Sequence, residues 1–171
     1  MSENNGMTII ASKGTLDWAF PPFIVGSTAA AMEKEVTIFF TFYGLGLLLK
    51  DLSGLRVSPQ GNPAMPMKMP FGSQWLQKID FGPKIPNIMW NIPGMELFAT
   101  NMMKKTMKKN NIATIEELRD VCLEMGVKLI ACEMTIGMFG YSREDFIDGI
   151  EYAGAATYLD IAQNSNHDLF I

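Results

Sequence analysis

The chain has 171 residues, a length that suits one domain with a substantial core. Its 18 acidic and 14 basic side chains give a net charge of -4. Nucleic-acid binding requires a concentrated basic face, so we expect no nucleic-acid partner. A hydrophobic content of 48% is high for a water-soluble protein, and we expect some apolar surface to contact another subunit, a partner or a membrane.

Neither targeting nor metal binding is indicated by the sequence. The N-terminus lacks the basic region and the long apolar run of a secretory signal, which predicts a cytoplasmic protein. The apolar stretches at residues 18–32 and 36–49 are shorter than the roughly 20 residues of a spanning helix. Cys122 and Cys132 are too few for a disulfide framework and have no metal-ligand spacing with the single histidine, His167.

The first third of the chain predicts strand, helix, strand and helix. A short β-branched run at residues 7–12 predicts a strand, and the Ala-rich run that follows predicts a helix over about 16–32. Pro21 and Pro22 either kink this helix or mark its true first turn. The apolar run at residues 35–42 is typical of a strand buried on both faces, and the Leu-rich stretch after it predicts a short helix.

Residues 53–93 have a different composition from the rest of the chain. Seven of the nine prolines lie here, together with many methionines and glycines. Proline at this density prevents long helices and central strands. We therefore predict a single domain over residues 1–171 with a Pro/Gly/Met-rich insertion at about 53–93, which serves as a lid, an interface arm or a binding loop.

The second half is regular again. Pro93 opens a predicted helix with Met95, Phe98 and Met102 on its apolar face and lysines in its last turns. The spacing of Thr114 and Glu117 predicts a capping box, which begins a helix that ends before Gly126.

Three further strands complete the predicted sheet, at residues 127–132, within 146–154 and at 168–171, with a helix between the last two. Strands that alternate with helices favour a mostly parallel sheet covered on both faces. The sequence therefore predicts an α/β fold, a three-layer α/β/α sandwich with a five-stranded sheet.

Ligands of an open parallel sheet bind at the carboxyl ends of its strands, where loops and helix N-termini collect. The residues predicted at these ends are Ser12, Lys13, Gly14, Thr41, Phe42, Tyr43, Cys132, Glu133 and Thr135. From position alone, Cys132 is either a thiolate stabilised by backbone N–H groups and Lys13 or a small core residue. Cys122 shares a helical face with apolar residues, which indicates packing. We predict His167 at the opposite, amino edge of the sheet.

Long stretches of the chain, and not one short motif, match a known family. They are "KGTLDWAFPPFIVGSTAAAM", "EVTIFFTFYGLGLLLK", "SPQGNPAMPMKMP", "PGMELFATNMMKK", "TIEELRDVCLEMGVKLIACEMT" and the closing "GAATYLDIAQ" with "LFI". On these stretches the chain resembles the DsrE-like (DsrE/DsrF/DsrH-like) sulfur-transfer family, in particular its larger branch beside rhodanese and TusA-type carriers. The resemblance implies a homotrimer or hexamer and a cysteine that carries sulfane sulfur as a persulfide, which matches Cys132 in "ACEMT".

Our first hypothesis is a sulfurtransferase or persulfide carrier with Cys132 as the reacting group and Lys13, Tyr43 and Thr135 as substrate-binding residues. The expected partners are a TusA-type sulfur carrier or rhodanese, together with small sulfane-sulfur donors. The alternative is a non-catalytic oligomeric or membrane-peripheral interaction module with an inert cysteine. Nothing in the sequence indicates a flavin, nicotinamide or metal cofactor, and a peroxide-reducing thiol protein is disfavoured because Cys132 lacks a resolving cysteine.

Overall fold

The computed structural model describes residues 5–58, 72–78 and 92–171. The chain divides into two compact units, one formed by Met1–Leu55 with Thr114–Ile171 and the other by Arg56–Ala113. Most of the predicted Pro/Gly/Met-rich insertion, at residues 59–71 and 79–91, lies outside the described residues.

The first unit is built on one sheet of five strands. These are β1 Gly6–Ala11, β2 Glu35–Phe40, β3 Lys128–Cys132, β4 Glu151–Ala153 and β5 Ser165–Phe170. Their order across the sheet is β4-β3-β2-β1-β5, and every neighbouring pair is parallel. The predicted five-stranded parallel sheet is therefore confirmed.

The α-helices of the described residues are α1 Leu16–Ala31, α2 Gln74–Lys78, α3 Met95–Lys109, α4 Ile115–Glu124, α5 Glu133–Phe139 and α6 Ala155–Ala162. Two 3-10 helices, Phe42–Leu48 and Arg143–Asp145, complete the first unit. In the part of the chain that the structure describes, no helix is both long and apolar enough to cross a membrane.

Two adjacent phenylalanines of β2 show how the layers are arranged. The ring of Phe40 lies 5.6 Å from that of Phe23 in α1, whereas the ring of Phe39 lies 5.1 Å from that of Tyr158 in α6. Successive residues of a strand point to opposite faces of a sheet. Helices α1 and α6 therefore cover opposite faces, and the predicted three-layer sandwich is confirmed.

The helix predictions differ from the structure mainly at the boundaries. Helix α1 begins at Leu16, so Pro21 and Pro22 lie inside it and do not mark its first turn. Strand β2 ends at Phe40, earlier than predicted, because the following residues form a 3-10 helix.

The predicted capping box of α4 is confirmed. The amide of Glu117 donates to Thr114 Oγ1 at 3.2 Å, and the amide of Thr114 donates to Glu117 Oε2 at 2.7 Å.

In the second unit, α3 begins after Gly94, whose φ of 90° lies in the left-handed region that favours glycine. The helix buries Ala99, Thr100 and Met102 but leaves Phe98 46% exposed, so the predicted apolar face is wrong for Phe98. The buried face of α3 instead includes Thr100, whose Oγ1 accepts from the amide of Val57 at 3.0 Å.

Two glycines of the first 3-10 helix differ sharply in the space around them. A Cβ atom at Gly44 would lie 2.1 Å from the carbonyl oxygen of Ala11, whereas a Cβ atom at Gly46 would have no neighbour within 4 Å. We expect Gly44→Ala to lower the free energy of unfolding by about 1 to 3 kcal/mol, because backbone must move to admit the methyl group. Urea denaturation followed by circular dichroism measures the change, with Gly46→Ala as the matched control. Equal losses in the two variants would contradict this explanation.

Candidate thiol site

Cys132 is the last residue of β3 and the N-cap of α5, at the carboxyl edge of the sheet that the sequence predicted. Its side chain is only 3% exposed and packs with Phe39, Ile130 and Tyr158 on the face that α6 covers. The thiol therefore lies at the boundary between the apolar core and the loops of the carboxyl edge.

Two threonine hydroxyls meet beside this thiol. Thr135 is fully buried in the first turn of α5, and its Oγ1 lies 3.2 Å from Oγ1 of Thr41, which follows β2. The amide of Phe42 donates to Thr135 Oγ1 at 3.3 Å. A hydroxyl has one proton and two lone pairs, so Thr135 Oγ1 can accept from Phe42 and still donate its own proton.

These groups lower the pKa of the Cys132 thiol. Burial is the largest single effect and would raise the pKa, because it disfavours the charged form. Hydrogen bonds from the hydroxyl and amide of Thr135, the hydroxyl of Thr41 and the amide of Met134 act in the opposite direction and together outweigh it. Cys132 therefore ionises more readily than an ordinary cysteine thiol.

Cys122 is a contrasting thiol in the same unit. It is fully buried in α4, and its Sγ donates to the carbonyl oxygen of Phe23 at 3.4 Å. Burial raises the pKa of Cys122 to about 11, and a hydrogen bond from the backbone of Ser27 opposes the rise only in part. A thiol held in its neutral form is a poor nucleophile. The structure agrees with the interpretation of Cys122 as a packing residue.

The other residues predicted for the site have different surroundings. The ammonium of Lys13 lies 3.2 Å from the ring centroid of Trp18, and Lys13 is not among the groups that shift the pKa of Cys132. Tyr43 is 73% exposed, and its ring stacks on Phe139 at 6.0 Å. Of the three predicted substrate-binding residues, Thr135 alone takes part in the hydrogen bonds to the thiol.

The predicted position of His167 needs one correction. It lies inside β5 and not before it, because that strand begins at Ser165. His167 pairs with Met7 near the start of β1, so it is at the amino half of the sheet, as predicted.

Exposed apolar side chains lie in the two segments that follow β2 and β3 at the carboxyl edge of the sheet. We call this set the apolar rim, and its exposed fractions run from 41% to 73%: Phe42, Tyr43, Met134, Met138 and Phe139. The nearest charged pair along the chain is Glu133 with Arg143, at 2.7 Å. Among the described residues, no group of three or more His, Cys, Asp or Glu side chains could hold a metal ion.

Sequence reasoning placed Thr41 and Phe42 at this edge but gave them no role. The hydroxyl of Thr41 lies 3.2 Å from that of Thr135 and helps to lower the pKa of Cys132, and the amide of Phe42 donates to Thr135. Phe42 has a φ of 48°, a left-handed conformation that is unusual for a bulky residue. The available signal was a hydroxyl residue directly after a buried strand on the same edge as the cysteine.

We expect Thr135→Val to raise the pKa of Cys132, because the substitution removes the hydroxyl whose hydrogen bond opposes the effect of burial. The measurement is the pH dependence of alkylation at Cys132, read by mass spectrometry of the modified peptide. Thr135→Ser keeps the hydroxyl and is the control, with a pH midpoint close to that of the unmodified chain. If valine and serine have the same midpoint, the hydroxyl does not stabilise the thiolate.

Comparisons with known proteins agree with this fold. The model of the DsrE/DsrF/DrsH-like family matches residues 3–170. The chain is 48% identical over 169 residues to the sulfur carrier protein DsrE2 of Allochromatium vinosum, with 99% of each chain covered. It is 35% identical over 171 residues to the uncharacterized protein YrkE of Bacillus subtilis, with 96% of this chain and 95% of that protein covered.

Among solved structures, the ychN protein of E. coli has the same fold, with a TM-score of 0.58 at 10% identity over 98% of this chain and 99% of that one. The match of the family model extends over nearly the whole chain, and it includes the strand that ends at Cys132. The chain therefore belongs to the DsrE/DsrF/DrsH-like family.

Proposed function

We propose that the protein moves sulfane sulfur through a persulfide on Cys132, as a sulfurtransferase or a persulfide carrier. The observation that carries this proposal is the contrast between the two thiols of the chain. Hydrogen bonds lower the pKa of Cys132, whereas burial raises that of Cys122 to about 11. The name of the Allochromatium vinosum relative, a sulfur carrier protein, supports the same chemistry.

The transfer is a displacement at sulfur. The Cys132 thiolate attacks the outer sulfur of a donor persulfide, a new S–S bond forms at Cys132, and the donor's S–S bond breaks. The donor leaves as a thiolate with the electron pair of the broken bond and takes up a proton. In the second half, an acceptor thiolate attacks the outer sulfur of the Cys132 persulfide and Cys132 leaves as a thiolate. No external oxidant or reductant is needed.

The hydrogen bonds at Cys132 serve both halves of this reaction. They favour the thiolate that attacks in the first half, and they stabilise the same thiolate when it leaves in the second. Thr135 and Thr41 are therefore groups that stabilise the sulfur anion, while Lys13 and Tyr43 remain candidates for contacts with the donor.

The partners that this function requires are a TusA-type sulfur carrier or a rhodanese, with small sulfane-sulfur compounds as further donors. Because Cys132 is only 3% exposed, a protein that donates its persulfide sulfur must contact the surface around this residue. The apolar rim suits such a contact, because exposed aromatic and methionine side chains are typical of protein interfaces. We further propose a cytoplasmic homotrimer or hexamer, with the Pro/Gly/Met-rich segment as an insertion in a single domain.

A second candidate function is a non-catalytic oligomeric or membrane-peripheral interaction module. The observation in its favour is the low exposure of Cys132, which packs against Phe39 and Tyr158 as a small core residue would. In this alternative the apolar rim is the working surface and the thiol is inert. The two functions differ in whether Cys132 reacts while the chain is folded.

Sulfur loading distinguishes the two functions. We expect the folded protein, incubated with polysulfide, to gain the mass of single sulfur atoms at Cys132, because that thiol is the one held toward its anionic form. Intact mass spectrometry and peptide mapping measure the gain. Cys132→Ser is expected to abolish it and Cys122→Ser to leave it unchanged. Loading that appears only after unfolding would favour the second function, and loading that survives Cys132→Ser would show that Cys132 does not carry the sulfur.

The apolar rim is tested by comparing two kinds of donor. We expect Tyr43→Ser to slow transfer from a persulfide-loaded TusA-type protein several-fold and to leave loading by polysulfide unchanged, because a small donor does not need the rim. Loading rates by mass spectrometry give the comparison. Ile24→Ser, which alters a side chain 46% exposed on α1, is the control for a general loss of surface hydrophobicity. Equal slowing with both donors would show that Tyr43 acts on the thiol itself.

A further inference from the structure

Arg119 is a buried cation in α4 that the proposed chemistry does not use. Its side chain is 5% exposed, and its Nε has no hydrogen-bond partner within the described part of the chain. Burial lowers the pKa of Arg119, and Asp120 and Glu116 only partly oppose this effect. Burying an incompletely paired guanidinium is costly, and an apolar side chain would fill the same space at lower cost. The position therefore calls for an explanation beyond packing.

The contacts of Arg119 are with one segment of backbone. Its Nη1 donates to the carbonyl oxygen of Leu47 at 3.2 Å and to that of Leu49 at 2.8 Å. These carbonyls lie at the carboxyl end of the 3-10 helix Phe42–Leu48, where helix carbonyls lack partners and carry partial negative charge. The guanidinium thus caps the carboxyl end of this helix.

The opposite end of the same 3-10 helix contacts the thiol site. Thr41 is its N-cap, and the hydroxyl of Thr41 and the amide of Phe42 both meet Thr135 Oγ1. Phe42 is held at a φ of 48°, a conformation that costs a bulky residue free energy and persists only where the surroundings impose it. A helix fastened at both ends keeps this strained residue in place.

We propose that Arg119 is a positioning residue that, through the carbonyls of Leu47 and Leu49, holds the 3-10 helix so that Thr41 and Phe42 stay against Thr135 and Cys132. This inference rests on the proposed function, because it takes Cys132 as the reacting group. Without the guanidinium, the helix is free to shift and Phe42 to relax. Thr41 then loses its contact with the sulfur, and the thiolate loses a donor.

The experiment is the pH profile of Cys132 alkylation in the full-length chain, read at the modified peptide. The titratable groups around this thiol are Glu133, paired with Arg143 at 2.7 Å, and the phenol of Tyr158 in the same packed cluster. None of these is altered in the variants. We expect Arg119→Met to shift the midpoint to higher pH and to slow alkylation at neutral pH several-fold, and Arg119→Lys, which keeps one donor group, to recover part of the difference.

The control is Ile115→Ala in the same helix. Ile115 is 2% exposed, and its apolar side chain cannot hydrogen-bond the 3-10 helix. It is expected to lower the thermal midpoint while leaving the pH midpoint of Cys132 unchanged. The proposal is overturned if Arg119→Met lowers stability with no change in the pH midpoint, or if Ile115→Ala shifts that midpoint equally. Should Arg119→Met fail to fold, Arg119→Lys decides, and an unchanged pH midpoint in that variant is the overturning result.

Sulfur loading of the unmodified chain separates this inference from the proposed function. If the unmodified chain loads sulfur at Cys132 and the Arg119 variants keep its pH midpoint, the positioning role alone is wrong. If the unmodified chain takes up no sulfur, the proposed function is wrong, while the pH profile still reports whether Arg119 orders the hydrogen bonds at the thiol.

Discussion

The opposition between burial and hydrogen bonding at Cys132 is the constraint on which the site depends. A thiol at 3% exposure would ordinarily stay neutral, because a thiolate loses its hydration when it is covered. Here the hydroxyls of Thr135 and Thr41 and two backbone amides replace that hydration and lower the pKa. The side chain is therefore packed like a core residue and polarised like a nucleophile.

The two cysteines show how strongly position on the fold decides the chemistry of one residue type. Cys122 lies in the last turn of α4, where burial raises its pKa to about 11 against a single opposing hydrogen bond from the backbone of Ser27. Cys132 lies where a strand ends and a helix begins, and amides at a helix start are free to bond a side chain. The two pKa values move in opposite directions because Cys122 is the more deeply buried and has one opposing hydrogen bond, whereas several hydrogen bonds oppose burial at Cys132.

The segment after β2 connects this local chemistry to the rest of the first unit. Close contacts hold its start, since Gly44 lies against the carbonyl of Ala11 and donates to Ser12 O at 3.1 Å. Arg119 bonds its other end. In the role proposed for Arg119, these contacts at both ends hold the 3-10 helix so that Thr41, its N-cap, stays against Thr135. The geometry of the site is thus a property of the whole carboxyl edge of the sheet.

The sequence by itself determined the strands, the order of elements and the position of Cys132, because these follow from local patterns of apolar residues, capping and turns. The capping box of Thr114 and Glu117 is confirmed for the same reason, since its groups are three residues apart. Only the tertiary structure decided that the hydroxyl of Thr41 meets that of Thr135 and that Lys13 lies over Trp18. These contacts depend on side-chain directions and on loop conformations set by packing between distant segments, which no local pattern encodes.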